Sequence, residues 1–185
     1  MARRGLSRTA VVETAARLAD RDGYDALTLG AVAAAVGVRP PSLYNHVEGL
    51  AGLRRELALA GLAELGERIR DAAVGRSGED ALLGLAEAYR AYAREHPGVY
   101  RALQRAPGPG DDEIAAAGAR LLEPVFAVLA GFGLEGDSGV HAARALRSAM
   151  HGFVELERVG GFGIDLDLDE SYRYLVRAVA AGIRA

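Results

Sequence analysis

The side chains best equipped for chemistry lie in one stretch, TLGAVAAAVGVRPPSLYNHV at 28–47, where Arg39, Ser42, Tyr44, Asn45 and His46 follow in close succession. These are short or planar polar groups. Arginine can pair bidentately with guanine and asparagine with adenine, while hydroxyl and imidazole groups suit phosphates, so the chemistry they offer is duplex recognition. Thr28 stands ahead of this set, where a capping hydroxyl and the free amides of a helix start can hold a phosphate. Covalent catalysis has much less to work with. The chain has no cysteine, and its histidines, His46, His96, His141 and His151, are scattered with no His-Glu-x-x-His pattern. Ser148 and His151 lie one helical turn apart without an orienting acid, so no enzymatic activity is expected. His151 and Glu155 have a metal-compatible spacing, yet two ligands on one helix make a weak site, and no metal or other cofactor is implied. The turn GGFGIDLDLDE lacks the glycine and final glutamate of a calcium loop, and its Asp167 and Glu170 fit a capping box better.

The apolar spacing that must position these groups is helical nearly throughout, with no alternating run suited to a strand, so the fold is expected to be all-α with about nine helices. The first helix runs from the capping residue Ser7 to about Arg21, and Gly23 stops it. A short second helix spans Thr28 to Val36, Gly37 turns the chain, and another short helix covers about Arg39 to Val47 with Pro40 and Pro41 in its first turn. Two short helices around a glycine turn have helix-turn-helix geometry. Val32, Val36, Val38 and Leu43 would form its core. By itself, such a pair is as consistent with a structural hairpin as with a DNA reader. A long helix from Leu50 follows, then helices ending near His96 and running from Pro97 to Gln104, one over 112–132 with a kink or break expected at Pro124, and two last helices at about 137–159 and 168–184.

Composition bounds the class without deciding it. With 185 residues, half of them hydrophobic, the chain can bury a full core. Charged residues interrupt every apolar run before the roughly 18 residues that a span requires, and Glu13 precedes any signal-peptide core, so a cytoplasmic protein that does not enter a membrane is expected. The net charge of −3 is unusual for a nucleic-acid binder. Its distribution matters more, because Arg3, Arg4 and Arg8 precede the first acid and can form a cationic arm or a merely solvated terminus.

The segment LTLGAVAAAVGVRPPSLYNHVEGLAGL resembles the TetR family of bacterial repressors, most closely in Ser42, Leu43, Tyr44, Asn45, His46 and Val47. The resemblance covers essentially the whole chain. It implies a three-helix DNA-binding domain at 1–49 and a six-helix ligand-binding and dimerisation domain at 50–185. It further implies operator contacts from Thr28, Arg39, Pro41, Ser42, Tyr44 and His46, with Asn45 added for base readout. One departure is Leu50, which stands where the family usually opens its fourth helix with a phosphate-gripping lysine.

The C-terminal half is similar to a TetR subgroup with a Trp-His-Gly motif, here Met150, His151 and Gly152. Tyr89, Tyr92, His96, Tyr100, Phe126, Met150, His151 and Phe153 are candidates to line a mostly apolar effector cavity, or else simply core. Arg147, His151 and Glu155 share a helical stripe that fits a polar handle, a surface ion-pair row or a dimer contact. The resemblance implies a homodimer through the eighth and ninth helices, whose apolar faces are Leu146, Met150 and Phe153 on one and Leu168, Tyr172, Leu175 and Val179 on the other. The function expected is a ligand-responsive regulator, a repressor by family habit, that leaves a palindromic operator when a small apolar or aromatic effector binds. A helical protein-interaction module without DNA binding is the alternative.

Overall fold

The computed structural model describes residues 6–104 and 108–183. Among them are eight α-helices and two 3-10 segments, with no strand. The described residues gather into two compact units, one drawn from 1–63 and 95–117, the other from 64–94 and 118–185. Compactness therefore does not follow chain order. The segment after residue 95 returns to pack with the N-terminal helices.

In the first unit, α1 (Arg8–Asp22) starts where the Ser7 hydroxyl accepts the Ala10 amide at 3.1 Å. It buries Val11, Ala15, Leu18 and Ala19 on one face. After a 3-10 turn at Tyr24–Ala26, α2 (Leu29–Val36) is capped by Thr28, whose Oγ1 accepts from Ala31 N at 3.2 Å. Gly37 ends α2 with φ +74°, a conformation open to glycine at little cost. There its amide and that of Val38 close onto the carbonyls of Ala34 and Ala33. Both caps were legible in the sequence.

The next element differs from expectation. Instead of an α-helix over Arg39 to Val47, the chain forms a 3-10 helix, Pro40–Asn45, with Arg39 as its N-cap. Two consecutive prolines remove two amides, and Pro41 disfavours the α region for Pro40, so the tighter Ser42 N to Arg39 O bond at 2.9 Å forms first. α3 (Gly49–Ala73) follows, contributing Leu53 and Leu57 to this unit's core. α5 (Pro97–Ala102) and the start of α6 (Asp112–Ala130) complete the unit.

The second unit is built on the rest of α3, α4 (Gly78–Glu95), the rest of α6, α7 (Gly136–Arg158) and α8 (Leu168–Gly182). Its core holds Leu65, Ile69, Leu82, Leu85, Leu129 and Leu146, all nearly inaccessible. Of the kink or break expected at Pro124, the break does not occur, since α6 continues through it to Ala130. The proline costs about 3 kcal/mol in a helix interior, and burial of Val125 and Leu129 in the same turns offsets it at about 1.5–3 kcal/mol each. Asp167 caps α8 by accepting the amides of Asp169 and Glu170, as the capping reading anticipates.

Candidate nucleic-acid interface

Leu43 organises the recognition segment. It is fully buried while Arg39, Pro41, Ser42, Tyr44 and Asn45 around it are exposed and His46 is half-buried. A 3-10 helix repeats every three residues, so Ser42 aligns with Asn45, and Pro41 with Tyr44. One face thus carries a hydroxyl above a carboxamide, and the next carries a proline above a phenol. Tyr44 is 63% exposed. Thr28 is also exposed, and beside it the first amides of α2 lack intrahelical acceptors.

Several arginines of this unit are paired with acids inside it. Arg8 pairs with Glu56, Arg21 with Asp22, and Arg55 with Asp111 and Glu113, the last two contacts both at 2.8 Å. Hydrogen bonding to Arg55 holds the Asp111 carboxyl below its ordinary range. Arg17 donates to Thr14, and the Arg54 guanidinium lies 4.9 Å above the Tyr24 ring. Arg8 is therefore part of the α1 scaffold instead of a free arm; Arg3 and Arg4 lie outside the described residues. Leu50, in the place of the family lysine, is half-buried in the first turn of α3.

The effector candidates are drawn from both units. Tyr89, Tyr92, Met150 and Phe153 are buried and Phe126 and His151 half-buried, all in the second unit. His96 and Tyr100 belong to the first unit. There His96 Nδ1 lies 3.1 Å from Asp20 Oδ2, and Tyr100 is buried with its amide on the His96 carbonyl. α4, which carries Tyr89 and Tyr92, ends at Glu95, and His96 is the N-cap of the next helix. Glu155 of the polar stripe pairs with Arg158 at 2.8 Å.

Two groups escaped the sequence reading. Arg90 is buried, held by Glu157 and Asp169 and flanked by Phe153 and Tyr172 with its guanidinium carbon 5.4 and 5.0 Å from the ring centres. Its position on the apolar face of α4, four residues from Ala86 and eight from Leu82, is the signal that could have found it. The Tyr172 hydroxyl donates to Ala86 O at 2.8 Å, and burial pushes that phenol far above its ordinary range. Arg68, whose guanidinium lies 5.1 Å from the Tyr92 ring, is the second.

Part of the apolar surface expected at the dimer contact is taken up within the chain. Leu146, Met150, Phe153 and Tyr172 pack into their own unit, and Leu168, Leu175 and Val179 are half-buried. The surfaces facing outward are the opposite ones, with Ala145, Ser148, Gly152, Leu156 and Val159 on α7 and Tyr174, Ala178 and Ala181 on α8. Leu156, Val159 and Tyr174 are 49%, 62% and 77% exposed.

Most of the chain is similar to known proteins. Residues 11–57 match the bacterial regulatory proteins of the tetR family, and residues 82–179 match the tetracyclin repressor-like C-terminal domain. The chain is 42% identical over 179 residues to the HTH-type transcriptional regulator Rv0681 of Mycobacterium tuberculosis, covering 96% of this chain and 82% of that protein. It is 36% identical over 179 residues to the HTH-type transcriptional regulator YobS of Bacillus subtilis, covering 97% and 93%. Among solved structures, the TetR protein of Acinetobacter baumannii AYE in complex with minocycline superposes with a TM-score of 0.73 at 22% identity, over 96% of both chains.

Proposed function

Because the chain belongs to the TetR family of transcriptional regulators, we propose that it is a ligand-responsive repressor that binds a palindromic operator as a homodimer. Residues 1–49 supply the operator contacts and 50–185 the effector and dimer contacts, as a functional division distinct from the compact units. The observation that supports this best is the exposed row Arg39, Ser42, Tyr44 and Asn45 set around buried Leu43. Arg39 and Asn45 with Ser42 read base edges; Thr28, Tyr44 and His46 hold phosphates, and Pro41 shapes the contact.

The partner for the outward faces of α7 and α8 is the same pair of helices in a second copy, related by a two-fold axis. The resulting four-helix contact places two recognition segments on one side of the duplex, about 34–36 Å apart for successive major grooves. The effector is a small apolar or aromatic molecule received among Tyr89, Tyr92, Phe126, Met150, His151 and Phe153, and the A. baumannii neighbour's complex with minocycline is consistent with that chemistry. Effector binding releases DNA by favouring a state with the recognition segments out of register, to the extent of its differential affinity for that state. No helix among the described residues is long and apolar enough to cross a membrane. The protein acts in the cytoplasm without a catalytic step.

Fluorescence anisotropy with duplexes tiling the DNA upstream of the protein's own gene, at several salt concentrations and with Tyr44→Ala, tests the reading. Selective binding that weakens with salt and with the substitution is expected. A dimeric, folded protein that selects no duplex in that region or elsewhere would instead support the interaction-module alternative.

A further inference from the structure

The carboxylate of Asp20, near the end of α1, does the capping of a different helix. Its Oδ1 accepts the amides of Gly98 and Val99 at 2.9 and 3.0 Å, and its Oδ2 lies 3.1 Å from His96 Nδ1. His96, the N-cap of α5, supplies no side-chain cap of its own. The amides that open α5 therefore depend on α1 for an acceptor.

Gly98 shows how close the two helices come. A Cβ at that position would lie 2.1 Å from the backbone carbon and oxygen of Ala19 and 2.6 Å from Asp20 N. The joint is thus backbone against backbone, with a buried glycine on one side and an 81%-covered carboxylate on the other. From α1 the packing continues to α2, and from α2 to the recognition segment Pro40–Asn45, all within one compact unit. Elsewhere in the same unit, Arg55 of α3 holds Asp111 and Glu113 at the start of α6.

We infer that Asp20 is a positioning residue for operator binding: by capping α5 it fixes the register of α1 against residues 96–99, and thereby the pose of a recognition segment it does not touch. The inference rests on the regulator reading above. If the joint opens, only the fraction of molecules in the native register can bind, and apparent affinity falls by that fraction. Losing charge-assisted bonds to two amides should open it enough for roughly a tenfold effect.

The test uses the full-length protein and the duplex selected by tiling, with Asp20→Ala, Asp20→Asn and Gly98→Ala. Expected for Asp20→Ala are faster hydrogen exchange at residues 98 and 99, a Kd raised about tenfold, and an unchanged slope of log K against log salt, because no phosphate contact is lost. Asp20→Asn, which retains an accepting oxygen, should recover much of the affinity. Gly98→Ala should weaken binding as Asp20→Ala does. Stoichiometric titration of each sample with operator, at concentrations well above Kd, separates lower affinity from a smaller folded fraction. Wild-type affinity in Asp20→Ala overturns the inference while leaving the regulator reading intact, as does exchange at 98 and 99 that does not change. A wild-type protein that selects no duplex overturns the regulator reading first, and this inference with it.

Discussion

The guanidinium of Arg90 grips the carboxylate of Glu157 through two hydrogen bonds, Nε at 2.9 Å and Nη2 at 2.6 Å, with 8% and 14% of the two side chains exposed. It joins α4 to the last turns of α7, and through Asp169 to the start of α8. Removing one partner strands the other in a poorly hydrated place. Arg90→Ala should cost about 3 kcal/mol of unfolding free energy, whereas replacing both as Arg90→Met with Glu157→Leu should recover most of it. Denaturant titration of the two variants measures the difference.

The same pair sets an acid limit. Hydrogen bonding to Arg90 holds the Glu157 carboxyl below its ordinary range. A group whose pKa is lower folded than unfolded stabilises the native state above its unfolded value, near 4.3, and that stabilisation is lost as pH falls through the folded value. Stability of the wild type should therefore fall below about pH 4.3 more steeply than that of Glu157→Gln, whose lower plateau lacks this titration. Thermal unfolding at a series of pH values checks the comparison.

Operator binding should show a shallow salt dependence. Within the described part of the DNA-binding unit, Arg8, Arg21 and Arg55 are engaged by acids, and Arg39 has no ionic partner. Each phosphate neutralised adds about 0.9 to the slope of log K against log salt. Because Arg39 is assigned to a base edge, Arg39→Ala should leave the slope unchanged while lowering affinity, and loss of close to one unit of slope would place it on a phosphate instead. Anisotropy at four or more salt concentrations decides between the two.

If α7 and α8 meet their counterparts in a second copy, the small residues on the outward face of α7 set how close the helices come. Gly152→Glu or Tyr174→Asp should shift a dimer to monomer in sedimentation and lower operator affinity, while α-helical content stays within a few per cent of the wild type, an order-of-magnitude allowance for surface substitutions. Dimers that persist in both variants would move the interface elsewhere.

What could be foreseen was local. Ser7, Thr28 and Asp167 act on amides two or three residues away, so their capping roles are written in the neighbouring sequence. Periodicity shows that α7 has an apolar stripe of Leu146, Met150 and Phe153, yet not whether it meets its own chain or another. The outward stripe, beginning Ala145, Ser148 and Gly152, has little hydrophobic signal to advertise it. Tyr89, Tyr92, His96 and Tyr100 recur at steps of three and four, and that spacing does not show that the backbone turns at His96 and that the first two and the last two belong to different units. Asp20 reads as an ordinary solvated acid until α5, almost eighty positions later, brings Gly98 and Val99 onto it. Such pairings depend on tertiary return, which no short window contains.

The two prolines that open the recognition segment have a consequence for which genes the protein can govern. With φ fixed at both, this part of the chain has little entropy left to lose in the groove, and little capacity to reshape itself around an altered base pair. A stiff reader tolerates few spellings of its site. The set of promoters under its control should accordingly be small and closely matched in sequence.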